Sequence, residues 1–558
     1  MMMFGNMRIP NREQKSPNLL SSGRISLGET LHSVPGVTLQ LRTEPEQAIM
    51  LHPNPDRQAT LILSRQPSGL INASGKSAAS LGYRYSGSGI SDKEGVWGEW
   101  AWDGQKLVVR NDRFGFLPIY YAQLPSGFGV STSALALIRG GAATDLDDAA
   151  VSVFVRLGYY IGNDTPFRSI HLLPAGSELT WSDGAPTIRI LAPPISETVS
   201  TLSRERAVHE YGVRFQDVVE AMVPDVSERM CVPLSAGRDS RHILYALVRA
   251  GRNPSMVVTA RSAPPRPSTD VEIASRITAG LKLPHTIIEQ SEDRFADEMQ
   301  KDLLTSFCAD EHAQMVPVAR WLNEQKFAAS WDGIAGDIFS CGVYNDNRML
   351  DQFRKRELAK LAGWLLADDG YLRKSLTPQY RERWNRDLAV KRLSQELDQY
   401  ADLPNPAAPF FFYNRVRREL ALCPYGMLNQ QTQILAPYLS HAIFDLLINL
   451  PFEYFKGRLF HSEAIDQFYP ELPQVEYVSA SSGSVPEKRS KIWKFAGNMC
   501  LMAIHGNASQ SCIRRGFLLP RLAKAMVNRE FGTEVPVLFS RILVMMHLEE
   551  SLALSSGI

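Results

Sequence analysis

Residues 231–244, Cys-Val-Pro-Leu-Ser-Ala-Gly-Arg-Asp-Ser-Arg-His-Ile-Leu, constrain the fold more than any other stretch of this 558-residue chain. They read as a short apolar strand, a tight loop of small residues and a helix beginning near Ser240. Ile243, Leu244, Leu247 and Val248 share one helical face, and Gly251 supplies a C-terminal stop. Such a unit aims backbone N–H groups and a helix dipole at whatever sits above the loop, and phosphate is the natural guest. Asp239 belongs beside an anion only if it holds a divalent cation that bridges to it. The residues predict a metal–pyrophosphate cradle, with an ordinary βα turn as the alternative.

The surroundings of this unit predict a parallel sheet covered by helices. Strands at 255–259, 286–289 and 327–331 alternate with helices at 269–281 and 313–323. Just past the last of these strands comes Trp331-Asp332-Gly333-Ile334-Ala335-Gly336-Asp337. Alone, Gly-x-x-Gly-Asp is turn chemistry. Ligands of open parallel sheets bind beyond the carboxyl ends of the strands, so Asp337 and Asp239 are expected to face one metal site. Residues 345–558 read as nearly all helical, with charge-dense helix faces at 354–360 and 381–392.

The amino half reads differently. Strands are expected at 36–42, 59–66, 96–102, 106–110, 117–122 and 128–131, separated by turns at 103–104, 111–115 and 125–127. A helix follows at 147–157, Pro174-Ala175-Gly176 opens a hairpin, and 191–204 is a linker. Residues 1–30, polar and rich in Gly, Ser and Asn, read as a flexible leader.

Bulk properties remove several classes. A net charge of +1 offers no general attraction to nucleic acid or an anionic membrane, and no apolar run approaches the ~20 residues of a membrane span. The start of the chain lacks the apolar core of a secretory signal, and the six cysteines are scattered without a Cys-x-x-Cys pair. The expectation is a cytoplasmic protein without a zinc site or disulfide framework.

Ser235-Ala236-Gly237-Arg238-Asp239-Ser240 resembles the Ser-Gly-Gly-x-Asp-Ser loop of ATP pyrophosphatases, which release pyrophosphate and leave AMP. Ala236 departs by one methyl from the first glycine and leaves Gly237 free for positive φ, while Arg241 stands where a second Ser is common. Residues 332–337 are similar to the Ser-Gly-Glu-Gly-Ala-Asp segment of asparagine synthetases. Residues 109–121, Val-Arg-Asn-Asp-Arg-Phe-Gly-Phe-Leu-Pro-Ile-Tyr-Tyr, resemble a segment of that family's glutaminase domain, as do 154–160 and 172–176. The chain thus resembles the asparagine synthetase family, which includes β-lactam synthetases and lasso-peptide cyclases.

The resemblance implies a two-part α/β and β-rich fold. A glutaminase-like αββα sandwich of the N-terminal-nucleophile type would occupy 31–190, and a Rossmann-like ATP-pyrophosphatase domain with a helical C-terminal part 205–558. It implies ATP and Mg2+ as cofactors. Leu234, Ser235, Gly237, Asp239, Ser240, Thr259, Asp332 and Gly333 would bind nucleotide, and Asp239 and Asp337 the metal. Positions 1–3 are Met and the first cysteine is Cys231, so the glutaminase fold is expected to lack its N-terminal cysteine nucleophile.

Relatives without glutaminase chemistry adenylate a carboxylate and let an amine of the same substrate displace AMP. Ile334 occupies the position of the family's base, so Glu311, His312 or a tail residue is expected to replace it. The family's late lysine, which steadies the adenylation transition state, has candidates in Lys488, Arg489 and Lys491 after the loop 479–484; exposed solubilising charge is the alternative. The expected partner is a small-molecule or peptide carboxylate, with no nucleic acid and no membrane, and a homodimer left open. The expected function is an AMP-forming carbon–nitrogen ligase. The alternatives are asparagine synthesis from ammonia and a non-catalytic nucleotide-binding relative. A tRNA-modifying enzyme built on the same loop would call for a basic face and paired cysteines.

Overall fold

Burial at every second residue of Leu107–Asn111 and Tyr120–Leu124 marks strands with one face on a core. The computed structural model describes residues 49–51, 60–64, 77–85 and 94–555, except 104, 126, 183, 194, 196–197, 225–227, 343, 345, 367–368, 478–483 and 506–510. The expected leader 1–30 and strand 36–42 lie outside the described residues.

In chain order the amino-terminal strands are β1 (Ile49–Leu51), β2 (Thr60–Ser64), β3 (Ser77–Arg84), β4 (Gly95–Trp102), β5 (Leu107–Asn111), β6 (Tyr120–Leu124), β7 (Gly127–Ser131), β8 (Ile170–Leu172), β9 (Ser177–Trp181) and β10 (Thr187–Ile190). They build two five-stranded antiparallel sheets, ordered β1-β2-β7-β6-β8 and β10-β9-β5-β4-β3. Their inner faces meet: Phe128 of β7 stacks on Trp181 of β9 with centroids 5.1 Å apart, beside Trp100, Trp102 and Leu179. Helices α1 (Ala134–Arg139) and α2 (Asp148–Leu157) cover the outer face of the first sheet. The Asp147 carboxylate caps α2 by accepting from Ala149 N–H and Ala150 N–H.

Of the expected αββα sandwich, the described residues show the two sheets and one helical layer. The outer face of the second sheet carries the partly exposed pairs Arg84–Glu99 and Arg110–Glu178, with Ala101 exposed beside them. Among the described residues the layering is αββ, with the helices Ala134–Arg139 and Asp148–Leu157 both on the first sheet.

The second unit opens with α3 (Arg204–Met222), capped by Ser203, where the sequence was read as ending a linker. Strands β11 (Met230–Pro233), β12 (Met256–Ala260), β13 (His285–Ile288), β14 (Ala329–Trp331) and β15 (Gln433–Leu435) form an all-parallel sheet in the order β13-β12-β11-β14-β15. Helices α4 (Arg238–Arg249), α5 (Thr269–Leu281), α6 (Arg294–Leu304) and α7 (Val316–Gln325) accompany the strands. Residues 345–558 are nearly all helical as expected, with the three-residue fifth strand as the exception where the tail returns to pair along the open edge of β14.

The tail also joins the two units. A π-helical stretch at Phe412–Leu420 places Arg417, which donates to the carbonyls of Gly115 (3.1 Å) and Leu173 (2.7 Å). Asn414 Oδ1 accepts from Gly162 N–H at 2.7 Å, and Arg113 is bidentate to Asp445 at 2.9 and 2.6 Å. One apolar core runs through both units. Among the described residues no single helix is long and apolar enough to cross a membrane; only the pair 529–538 and 540–553, bent by 58°, passes that test jointly.

Candidate nucleotide cleft and metal ligands

The two loops singled out in the sequence leave the carboxyl ends of adjacent parallel strands, β11 and β14, and so converge on one place. A cleft of about 650 Å3 opens there, within the size range of small-molecule sites. Leu234, Ser235, Gly237, Asp239, Ser240, Thr259, Asp332, Gly333, Asp337 and Glu311 all line it, as do His312 and Ile334.

The first loop is braced from within. Ser235 N–H donates to Ser240 Oγ at 3.1 Å, Gly237 N–H to Ser235 Oγ at 3.1 Å, and Ala236 N–H to Asp270 Oδ1 at 2.7 Å. Thr259 Oγ1 donates to the Leu234 carbonyl at 2.8 Å, tying β12 to the loop. Gly237 sits at the N-cap of α4 with φ −69° and no side-chain cap, which corrects the expected positive φ there. The extended backbone feeds straight into the helix, so no left-handed residue is needed. The uncapped first turn of α4 faces the cleft, which suits an anion.

The second loop closes over Asp239. A Cβ at Gly336 would lie 2.5 Å from Asp239 Cγ, and one at Gly333 2.9 Å from Asp239 Cβ, so only glycine fits at either position. Ala335 between them takes φ +69°. Asp332 accepts from Ile334 N–H at 2.8 Å, and burial raises it to about 6. Burial, then the nearby Asp337, push Asp239 well above the usual carboxylate range, while the Asp337 backbone N–H holds it by a hydrogen bond. Burial raises Asp337 too. Asp239 Oδ1 has no hydrogen-bond partner. Two carboxylates brought together, one with an orphaned oxygen, form a donor set that fits a hard divalent cation.

At the far end of the cleft the carboxylates of Asp310, Glu311 and Glu419 lie within 4.8 Å of one another. Arg541 Nε donates to Asp310 at 2.9 Å, and Arg415 lies 3.6 Å from Glu311 and 3.4 Å from Glu419. Glu311 is the exposed member; burial and then Asp310 raise Glu419 far above its ordinary value. His312, with φ +85°, is lowered by burial to about 4 and stays neutral. Ile334 presents only carbon where a base was sought.

Lys488 and Arg489 are not brought to the cleft. Lys488 is 69% exposed and 3.8 Å from Glu292, and Arg489 is exposed as the first residue of helix Arg489–His505. Solvation of both long side chains on that helix end explains the placement. Lys491 approaches the rim, donating to the carbonyls of Gln290 (3.4 Å) and Ser291 (2.9 Å). The expected mobile loop at 479–484 lies, up to 483, outside the described residues. Ser540 and Arg541, which reach the cleft from the C-terminal helix, carry no local motif and went unread in the sequence.

Comparison with known proteins bears on the amino-terminal unit. Residues 83–190 match the family of glutamine amidotransferase domains. A search of curated proteins finds no match. Among solved structures the chain is similar to glutamine phosphoribosylpyrophosphate amidotransferase from B. subtilis complexed with ADP and GMP. That match has 8% identity and a TM-score of 0.13, covering 35% of this chain and 48% of that one. A second is described as the allosteric regulatory enzyme of purine biosynthesis, with 11% identity and a TM-score of 0.14, covering 35% and 47%. The chain spans about half the length of both.

Proposed function

We propose that this protein is an ATP-dependent, AMP-forming ligase of asparagine-synthetase type, which adenylates a carboxylate and joins it to an amine carried by the same substrate. The observation that carries this reading is the convergence of Asp239 and Asp337 at the carboxyl ends of neighbouring parallel strands, over one open cleft. In this reading Leu234, Thr259, Asp332 and Gly333 border the base, and the Ser235 and Ser240 hydroxyls with the first turn of α4 receive the phosphates. Asp239 and Asp337 would hold Mg2+, which supplies neutralisation of charge on the departing pyrophosphate. Glu311, exposed at the acidic end, accepts the proton that the amine loses as it attacks. A substrate that carries both the acid and the amine would need only one binding event, which avoids a second binding entropy.

The test is ATP–pyrophosphate exchange over a panel of free acids and precursor peptides. Asp239→Asn and Asp337→Asn are each expected to remove several kcal/mol of transition-state stabilisation, roughly 10³-fold in rate, with the fold intact. Exchange that persists in both variants overturns the assignment. A second reading, amidation by ammonia, is favoured by the amidotransferase-domain match at 83–190. Product mass separates the two: cyclisation removes one water from one substrate, whereas amidation exchanges OH for NH2 and depends on added ammonium.

A further inference from the structure

Directly behind Asp239 lie two buried histidines that the reading above leaves unused. His461 comes from α8 (Phe460–Phe468) in the tail, more than 200 residues along the chain, and is fully buried. Its Nδ1 is 3.3 Å from Asp239 Oδ1 and 2.9 Å from Ser340 Oγ. Its Nε2 is 3.0 Å from Nδ1 of His242, equally buried on α4. The Tyr211 and Tyr438 hydroxyls stand 3.4 and 3.5 Å from that same Nε2, and Tyr438 donates to the Asp239 carbonyl at 2.9 Å.

Elimination places the protons. Ser340 has one hydroxyl hydrogen and donates it to the Gly336 carbonyl, so its Oγ meets His461 as an acceptor. Nδ1 of His461 must then carry the hydrogen, which it donates to Ser340 Oγ, with Asp239 Oδ1 standing 3.3 Å from the same nitrogen. The opposite tautomer would aim a lone pair at a carboxylate oxygen. Nε2 is left as an acceptor, filled by Nδ1–H of His242, and the unpartnered His242 Nε2 is a bare lone pair. A hydrogen-bearing nitrogen behind a metal-binding carboxylate orients it.

We infer that His461 is a positioning residue: the relay His242–His461 fixes the rotation of the Asp239 carboxylate and so presets it for a divalent cation. The inference rests on the nucleotide reading above. It also gives the tail helix a direct hold on the first loop.

Mn2+ binding to the full chain with α,β-methylene-ATP, followed by electron paramagnetic resonance, tests this without turnover. Asparagine can place an N–H where Nδ1 carries one, and glutamine places it at the Nε2 side. His461→Asn is therefore expected to stay within about threefold of the wild-type affinity. His461→Gln is expected to lose about tenfold or more, the usual scale for orienting partners of metal ligands. Ser340→Ala, which removes the acceptor that fixes the tautomer, is expected to lose about threefold with its melting temperature little changed. Equal affinity in all folded variants overturns the inference while leaving the nucleotide reading in place. If His461→Gln does not fold, unchanged affinity in Ser340→Ala overturns it. Absence of Mn2+ binding by the wild type overturns the nucleotide reading and the inference with it.

Discussion

Gly336→Ala is the smallest change that should disable the cleft. The added methyl would stand 2.5 Å from Asp239 Cγ, 2.7 Å from its Oδ1 and 2.9 Å from its Cβ. Restoring an ordinary contact of 3.4 Å moves the carboxyl carbon by about 0.9 Å. Overpacking of this kind costs about 1–3 kcal/mol of stability. A displacement near 1 Å at a reacting centre costs about 10²-fold in rate, or about 3 kcal/mol. The variant should stay folded, with a lowered urea midpoint and pyrophosphate exchange reduced about a hundredfold. Gly363→Ala is the control: it lies in the helix Leu358–Leu365 with nothing within 4 Å of the new Cβ, and should gain about 0.5–1 kcal/mol. Wild-type exchange and stability in Gly336→Ala would refute both the close approach of the second loop and the role given to Asp239.

Three further outcomes are expected. Arg156 is buried and donates to Asp369 Oδ2 at 3.2 and 2.9 Å, so Asp369→Ala strands a buried guanidinium and should cost about 3–5 kcal/mol by urea denaturation; a loss below about 1 kcal/mol would contradict the buried pair. Residues 1–230 contain no cysteine, so purified protein should release no glutamate from glutamine with or without ATP, and measurable release would show the amidotransferase-like domain to be active. His312 is lowered to about 4 by burial, below the ordinary value near 6.5, so the unfolded chain binds the extra proton. Its stabilising contribution is present above pH ~6.5 and is lost toward pH ~4 at about 1 kcal/mol per pH unit. The stability difference between wild type and His312→Asn should narrow across that window, and a difference independent of pH would refute the burial.

The parallel sheet was legible because its strands are short apolar runs bounded by turn residues. Helix 269–281 is found at Thr269–Leu281, and strand 327–331 survives as Ala329–Trp331. The helix after the first loop begins at Arg238, two residues earlier than read, because nothing but the loop geometry sets its start. Gln433–Leu435 was missed since three residues carry no periodicity, and only the open edge of β14 makes them a strand. The residues that bind nucleotide in the proposed reading were found because a loop concentrates them locally. His461 was not found, because a lone histidine on a tail helix looks like any core residue until Asp239 and Ser340 are placed against it. The cation expected from Lys488 or Arg489 rested on the family's late lysine after a small-residue loop, and here both side chains are exposed, Lys488 lying 3.8 Å from Glu292.

The late fifth strand has a consequence for how this chain is made. About 200 residues separate Pro233, at the end of β11, from Gln433, at the start of β15. At about 5–20 residues per second, synthesis of that interval takes roughly 10–40 s. Once Trp331 is made, the edge of β14 waits with its hydrogen-bonding groups untaken through the second half of that interval, and for most of the interval the π-helical stretch that locks onto Gly115, Gly162 and Leu173 does not yet exist. The nascent sheet is thus an unsealed template on the ribosome. A stop or pause between 340 and 430 should leave a sticky intermediate rather than a working nucleotide domain.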